Sequence, residues 1–274
     1  MSLRGKIAFA GRTDTGRVRE HNEDAIGTDV ELGLLVLADG MGGLKAGEVA
    51  SAMAVEVITR ELGEVLGGQE AGQQDEESGY TLGSLALGRS VVRANETIFQ
   101  VAQSQPQCAG MGTTLVVVLF YDDRLTVAHV GDSRMYRLRD GSFEQITLDH
   151  SLVQELVNRG FYTPAEAREA THKNIVTRAL GIGAEVEYDL LEAAALPGDA
   201  FLLCSDGLCD MVDDDGIRTI LADNLDNLET AADRLVAAAN EHGGRDNISV
   251  MLARVDRPFA VKTGWFSRLM NWFD

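Results

Sequence analysis

Apolar residues fall along this chain in two rhythms. Over Ala46–Leu66, Ala50, Met53, Ala54, Val57, Ile58 and Leu62 recur at three- and four-residue steps, which predicts a helix buried along one face. Gly83–Ala102 repeats the spacing through Leu87, Val91, Asn95, Ile98 and Ala102, and Leu228, Ala231, Ala232, Leu235, Val236 and Ala239 repeat it again. Leu152–Arg159 and Pro164–Ala170 are shorter helix candidates. The second rhythm is the unbroken apolar run. KIAFAGRT, GLLVLADG, TTLVVVLFY, RLTVAHV, RMYRLRDG, DAFLLC and NISVMLARV read as strands, and GLLVLADG and DAFLLC are apolar enough to be fully buried. The short DD and GDS connections within the central block predict antiparallel pairing. The polar stretch Glu70–Gly79 is a loop. Helices interleave with blocks of strands rather than alternating with them one for one. The expected fold class is therefore α+β layers rather than a doubly wound parallel sheet.

Composition narrows the range of partners. The chain has 274 residues, enough for a large core, and carries 24 basic against 43 acidic side chains, a net charge of -19. That balance excludes a nucleic-acid backbone as the main partner and disfavours an anionic membrane surface. It suits divalent cations. Cys108, Cys204 and Cys209 lack the paired spacing of a zinc site and are expected as reduced thiols. No apolar run approaches the ~20 residues of a membrane span, and the amino terminus does not read as a signal peptide, so the expected location is cytoplasmic.

Two of the predicted strands run into a carboxylate and then glycine: Asp39-Gly40 in GLLVLADGMGG and Asp206-Gly207 in DAFLLCSDGLCD. Asp246, in GGRDNISV, stands just before the last strand. A carboxylate at the edge of a core is costly unless something compensates it. Several such strand ends converging would make a rigid, oxygen-rich site for Mg2+ or Mn2+, with the Gly40 carbonyl as a further ligand. Upstream, RVREHNED offers Arg19, Glu23 and Asp24 on one extended segment. Each feature alone is more often a turn or a solvated surface. VDDDG (Val212–Gly216) does not fit a calcium loop, because the first and twelfth ligand positions would fall on Met211 and Ala222. There is no phosphate-binding GxxxxGK[ST], no HExxH and no GxSxG.

Taken together and in order, GRVREHNED, VLADGMGG, GMGTTLVV, AHVGDSRMYRL, LDHSLV, VTRALG, LLCSDGLCD and GGRDNISVM are specific. Over Gly16–Met251 the chain resembles the bacterial branch of the metal-dependent serine/threonine protein phosphatases, the PPM or type 2C family. The resemblance implies a central β-sandwich of two antiparallel sheets flanked by helices on both sides. It implies a catalytic domain over residues 1–256 with a flap at about 151–178, and leaves 257–274 as an aromatic-rich tail. Asp39 resembles the carboxylate bridging two ions, Gly40 the carbonyl ligand of the first, and Asp206 and Asp246 the ligands of the second. Asp132 is similar to the ligand of a third, weaker ion, shared with Asp206. Glu23 and Asp24 resemble outer carboxylates holding metal-bound waters, and Arg19 the residue that grips the substrate phosphate. The implied cofactors are two Mn2+ or Mg2+ ions. The implied reaction is hydrolysis of phosphoserine and phosphothreonine in proteins by a hydroxide bridging those ions, without a covalent intermediate, on substrates that include a cognate kinase.

One departure stands out. Family members often carry a histidine near the first Asp-Gly, where this chain has Met41 and Leu44, so leaving-group protonation falls to a metal-bound water or to another group. His150 and His172 are the candidates. A phosphoprotein-binding scaffold, a phosphodiesterase and a small-molecule phosphatase stay open as alternatives. In the tail, Trp265, Phe266, Leu269, Met270, Trp272 and Phe273 fall on one helical face, expected to dock on the domain itself or on a partner.

Overall fold

The computed structural model describes residues 3–43, 46–66, 71–163, 166–167 and 175–260. The first sheet contains β1 (Ile7–Asp14), β7 (Arg134–Arg139), β8 (Ser142–Gln145), β10 (Ala200–Cys204) and β11 (Ile248–Val255), in the order β1-β11-β10-β7-β8. The second contains β2 (Asp24–Asp29), β3 (Leu34–Met41), β5 (Leu115–Tyr121), β6 (Arg124–Val130) and β9 (Asp189–Ala194), in the order β2-β3-β5-β6-β9, and the short β4 (Gly112–Thr113) pairs with the end of β3. Every pairing is antiparallel. Helices α1 (Ala46–Leu66) and α2 (Leu82–Ser104) cover the outside of the second sheet. Helix α3 (Leu152–Asn158) and the single turn α4 (Asp206–Cys209) lead to α5 (Asp214–Asp223) and α6 (Leu228–Glu241), which cover the first sheet. The result is the expected helix–sheet–sheet–helix sandwich.

Strand alternation builds this core. Successive side chains of a strand point to opposite faces. In β3, Leu34, Val36 and Ala38 pack with Ile58, Leu62, Leu87 and Ile98 under the helices. Leu35 and Leu37 point the other way and pack between the sheets with Val116, Val118, Phe120, Phe201, Leu203 and Met251. Burying one such Leu or Phe contributes about 1.5–3 kcal/mol, so a residue slip that exchanged the two faces would be strongly opposed. The inward stripe Leu35, Leu37 continues to Asp39. The period that fills the core thus carries a carboxylate to the open edge of the sandwich.

The structure departs from the sequence reading in three places. Asp39 and Gly40 are not in a turn beyond the strand: β3 runs through both to Met41, held by β2 and β4. The GDS connection is not a hairpin. It carries the chain from β6 in one sheet to β7 in the other. The sequence reading contained neither β2, from the polar HNEDAIGTD region, nor the edge strand β9, and both are only half-buried over most of their length. The acidic VDDDG, already excluded as a calcium loop, is a helix start, in which the Asp213 side chain accepts from the Gly216 amide and Asp214 and Asp215 occupy the first turn of α5. The observed α3 matches the Leu152–Arg159 candidate to within one residue. The Pro164–Ala170 candidate lies mostly, and the aromatic residues of the tail lie wholly, outside the described residues.

Candidate metal centre

Five chain segments deliver carboxylates to one edge of the sandwich. β2 pairs with β3 so that Asp24 stands directly opposite Asp39. Asp206 is the first residue of α4, straight after β10, and Asp246 lies two residues before β11. Asp132 sits in the crossover between the sheets. Their charges act on one another. Burial, followed by repulsion from Asp24, Asp206, Asp132 and Asp246, holds the Asp39 carboxyl well above the usual carboxylate range. Burial does the same to Asp206, reinforced by Asp132, Asp246 and Asp210. Asp24 is pushed up to about 6, mainly by burial, and Asp132 to about 6, by burial and then Asp149. Glu23, half-buried beside them, is also raised, again chiefly by burial. Asp24 Oδ1 and Asp206 Oδ1 are buried without a hydrogen-bond partner. An all-oxygen, strongly acidic cluster with orphaned carboxylate oxygens fits hard divalent ions such as Mg2+ and Mn2+.

Neutral side chains that the sequence reading overlooked hold these acids in place. Thr114 donates its amide to the Asp39 carbonyl (2.9 Å), and its Oγ1 accepts from the Asp39 amide (3.0 Å). Ser205 Oγ donates to Asp24 Oδ2 (2.9 Å) and accepts from the Ser249 amide (3.0 Å). Asn247 reaches across to the Thr15–Asp24 segment: its Oδ1 accepts from the Glu23 amide (2.8 Å), and its Nδ2 donates to the carbonyls of Thr15 (3.0 Å) and His21 (2.9 Å). Ser205 and Asn247 adjoin Asp206 and Asp246 in the sequence, but no spacing marks either as a positioning group, and Thr114 adjoins no carboxylate at all. Gly40 is required by close approach: a Cβ there would lie 2.1 Å from the Gly47 carbonyl oxygen and 2.5 Å from that of Glu23. Arg19, half-exposed at the rim, donates from Nη2 to Asp246 Oδ2 (2.7 Å).

The structure therefore brings together Arg19, Glu23, Asp24, Asp39, Gly40, Asp132, Asp206 and Asp246. It does not bring His150 to them. His150 Nδ1 accepts from the Gly131 amide (3.1 Å), and its Nε2 lies 3.4 Å from Asp189 Oδ2 and 3.3 Å from Arg178 Nη1. Neither ring nitrogen presents a proton to the carboxylate edge. Leu44 and His172 lie outside the described residues.

Among the described residues, the tightest group of potential metal ligands is elsewhere: His129, His150 and Asp189 offer donor atoms all within 4.8 Å of one another. Tautomer logic argues against an ion there. His129 is suitable, since its Nε2 pairs with the Ser133 carbonyl (2.8 Å) and leaves Nδ1 bare. His150 is not, because an Nδ1 that accepts from an amide requires the proton on Nε2, the atom that would have to bind metal. The Arg178 guanidinium beside that nitrogen adds a positive charge. A cavity of about 750 Å³ on the outer face of α2, against Tyr188 and Leu190, includes none of the clustered aspartates and is not the reactive centre.

Comparison with known proteins gives one consistent result. The protein phosphatase 2C family profile matches residues 14–241. The serine/threonine protein phosphatase PstP of Mycobacterium tuberculosis is 42% identical over 250 residues, covering 91% of this chain but 45% of that protein. The chain thus spans under half the length of that relative. The serine/threonine phosphatase stp of Listeria monocytogenes is 38% identical over 251 residues, covering 89% of this chain and 94% of its own length. A solved structure of the catalytic domain of PstP in complex with 2 manganese ions superposes with a TM-score of 0.78 at 39% identity, covering 90% of this chain and 97% of that one.

Proposed function

The chain belongs to the protein phosphatase 2C family, and from that premise we propose that it is a metal-dependent phosphatase hydrolysing phosphoserine and phosphothreonine in proteins. Two Mn2+ or Mg2+ ions would be held by Asp39, the Gly40 carbonyl, Asp206 and Asp246, with Asp132 and Asp206 sharing a third, weaker one. When bound, such ions supply an activated water as nucleophile and neutralise charge on the phosphoryl group, so no covalent enzyme intermediate is needed. The protein's own part is to fix the acids. Thr114 and the β2–β3 ladder aim Asp39, Ser205 orients Asp24, and Asn247 holds the segment bearing Glu23 against the start of β11. Arg19, at the rim and next to Asp246, is placed to receive two phosphate oxygens on its planar fork.

The observation that carries this reading is the mutual repulsion of Asp24, Asp39, Asp132, Asp206 and Asp246 at one edge, with two of their oxygens unpartnered. The substrates would include a cognate serine/threonine kinase, met in the cytoplasm. The test is hydrolysis of phosphoserine and phosphothreonine peptides with Mn2+, with Mg2+ and after chelation. Metal-dependent release of phosphate is expected. Hydrolysis of small phosphate esters alone would overturn the protein-phosphatase reading, and peptide binding without turnover would mark a scaffold.

A further inference from the structure

The crossover Gly131-Asp132-Ser133 is held from two sides. On one side, Gly131, at φ +105°, presses on Thr114, where a Cβ would fall 2.7 Å from the threonine Cβ. Thr114 Oγ1 also hydrogen-bonds Ser133 Oγ (2.7 Å). On the other side stands His150. Its amide donates to the Gly131 carbonyl (2.7 Å), while its Nδ1 accepts from the Gly131 amide (3.1 Å). One residue thus satisfies both backbone groups of the glycine that precedes Asp132. The His150 carbonyl accepts from the Thr177 amide (2.8 Å), and the Ile175 carbonyl accepts from the Leu152 amide (2.9 Å), so the same residue joins both ends of the 151–178 segment to that glycine. The ring is 8% exposed, tilted against His129 at 4.7 Å, and burial lowers its pKa, so it is a neutral acceptor at Nδ1.

The geometry points to His150 as a positioning residue: its Nδ1 fixes the Gly131 amide and thereby the aim of the Asp132 carboxylate. The Nε2 side, facing Asp189 and Arg178, is dispensable for this role. The inference rests on the phosphatase reading only in taking Asp132 as a metal ligand.

Purified full-length protein should be titrated calorimetrically with Mn2+ without substrate, and hydrogen exchange followed at the Gly131 amide. The Asp132-dependent part of binding is the part that Asp132→Asn removes. Loss of a residue that orients a ligand typically costs about 10–100-fold in metal affinity, so His150→Ala should weaken that part by about 10-fold and speed Gly131 exchange. His150→Asn places an amide oxygen where Nδ1 stands and should restore both, whereas His150→Gln, whose oxygen reaches the Nε2 position, should not. Asp189→Asn should behave as the parent. Should His150→Ala fail to fold, Asn against Gln decides. Rescue by Gln rather than Asn, or an Asp189→Asn defect equal to that of His150→Ala, would overturn the inference. Absence of phosphopeptide turnover, with the variants still ranked as expected, would instead defeat the phosphatase reading alone.

Discussion

Asp24 and Asp39 face each other across the β2–β3 ladder at a pair whose flanking residues make the backbone hydrogen bond, from the Gly40 amide to the Glu23 carbonyl (3.0 Å). That is the closer of the two antiparallel pair types, with Cα atoms about 4.5 Å apart. Two like charges so near each other, screened from water, cannot both ionise freely, and burial followed by repulsion from Asp24 raises the Asp39 carboxyl. A consequence is that the metal-free fold is stabilised by acid. Asp24 and Asp132 have folded values of about 6 against an ordinary 3.8, so the folded protein binds more protons. The stability they contribute is present below about 4 and lost as pH rises through 6. The midpoint of thermal unfolding in chelator should therefore fall by several degrees between pH 5 and pH 7.5, once acid effects of the remaining surface are controlled with Asp24→Asn. Saturating Mn2+ should reverse the trend, because the ions bind the deprotonated acids. An unchanged slope in Asp24→Asn would show that these carboxyls do not set it.

Replacing an acid by its amide separates stability from activity. Asp39→Asn, Asp206→Asn and Asp246→Asn should each remove nearly all turnover at saturating Mn2+. The first two carry strongly repelled charges, so Asn at either position should leave the metal-free protein as stable or more so in thermal melts at pH 7.5. Near-normal turnover in any of the three would remove that residue from the ligand set.

Arg19 is assigned to phosphate rather than to metal. Its guanidinium lies at the rim and its charge is already balanced in part by Asp246. Arg19→Ala should raise KM for a phosphopeptide by about 10-fold or more, as expected for loss of a charge-assisted pair, with Mn2+ affinity little changed. A large loss of Mn2+ binding in calorimetry, with KM unmoved, would reverse the assignment.

How far the sequence could be read follows from which residues carry periodic signals. Leu35, Leu37 and Asp39 share one strand parity, so the apolar run both announced the strand and pointed at its carboxylate. Helices α1 and α6 were equally plain, because their buried faces recur every three or four residues. β2 and β9 were not, since half-buried polar strands such as DAIGTD and DLLEAA lack any run that stands out from loops. The crossover after β6 was misread for a physical reason: Gly-Asp-Ser serves a tight hairpin as well as a step between sheets, and only tertiary packing against Thr114 and His150 selects the step. Asn247 and Ser205 were invisible as positioning groups, because one polar side chain beside a carboxylate has no period at all.

Met41 allows the site's weakest chemical step to be tested directly. It lies two residues beyond Asp39 on β3, on the same face of the strand and paired with Gly112. No imidazole occupies that position, and the ring of His150 is committed to Gly131, Asp189 and Arg178. Aryl phosphates depart as phenolates with conjugate-acid pKa values of about 10 or below, and need little protonation. Serine and threonine alkoxides are far more basic and need a proton in the transition state, where a positioned acid contributes about 10²–10⁴-fold. The enzyme should therefore favour p-nitrophenyl phosphate over a phosphothreonine peptide in kcat. Met41→His should narrow that gap, raising kcat for the peptide by about 10-fold or more while leaving the aryl ester nearly unchanged, with a new dependence on a group titrating near 6.5. Equal changes on both substrates would mean that the leaving oxygen already receives its proton from another source, and the preference for aryl esters would then need a steric origin.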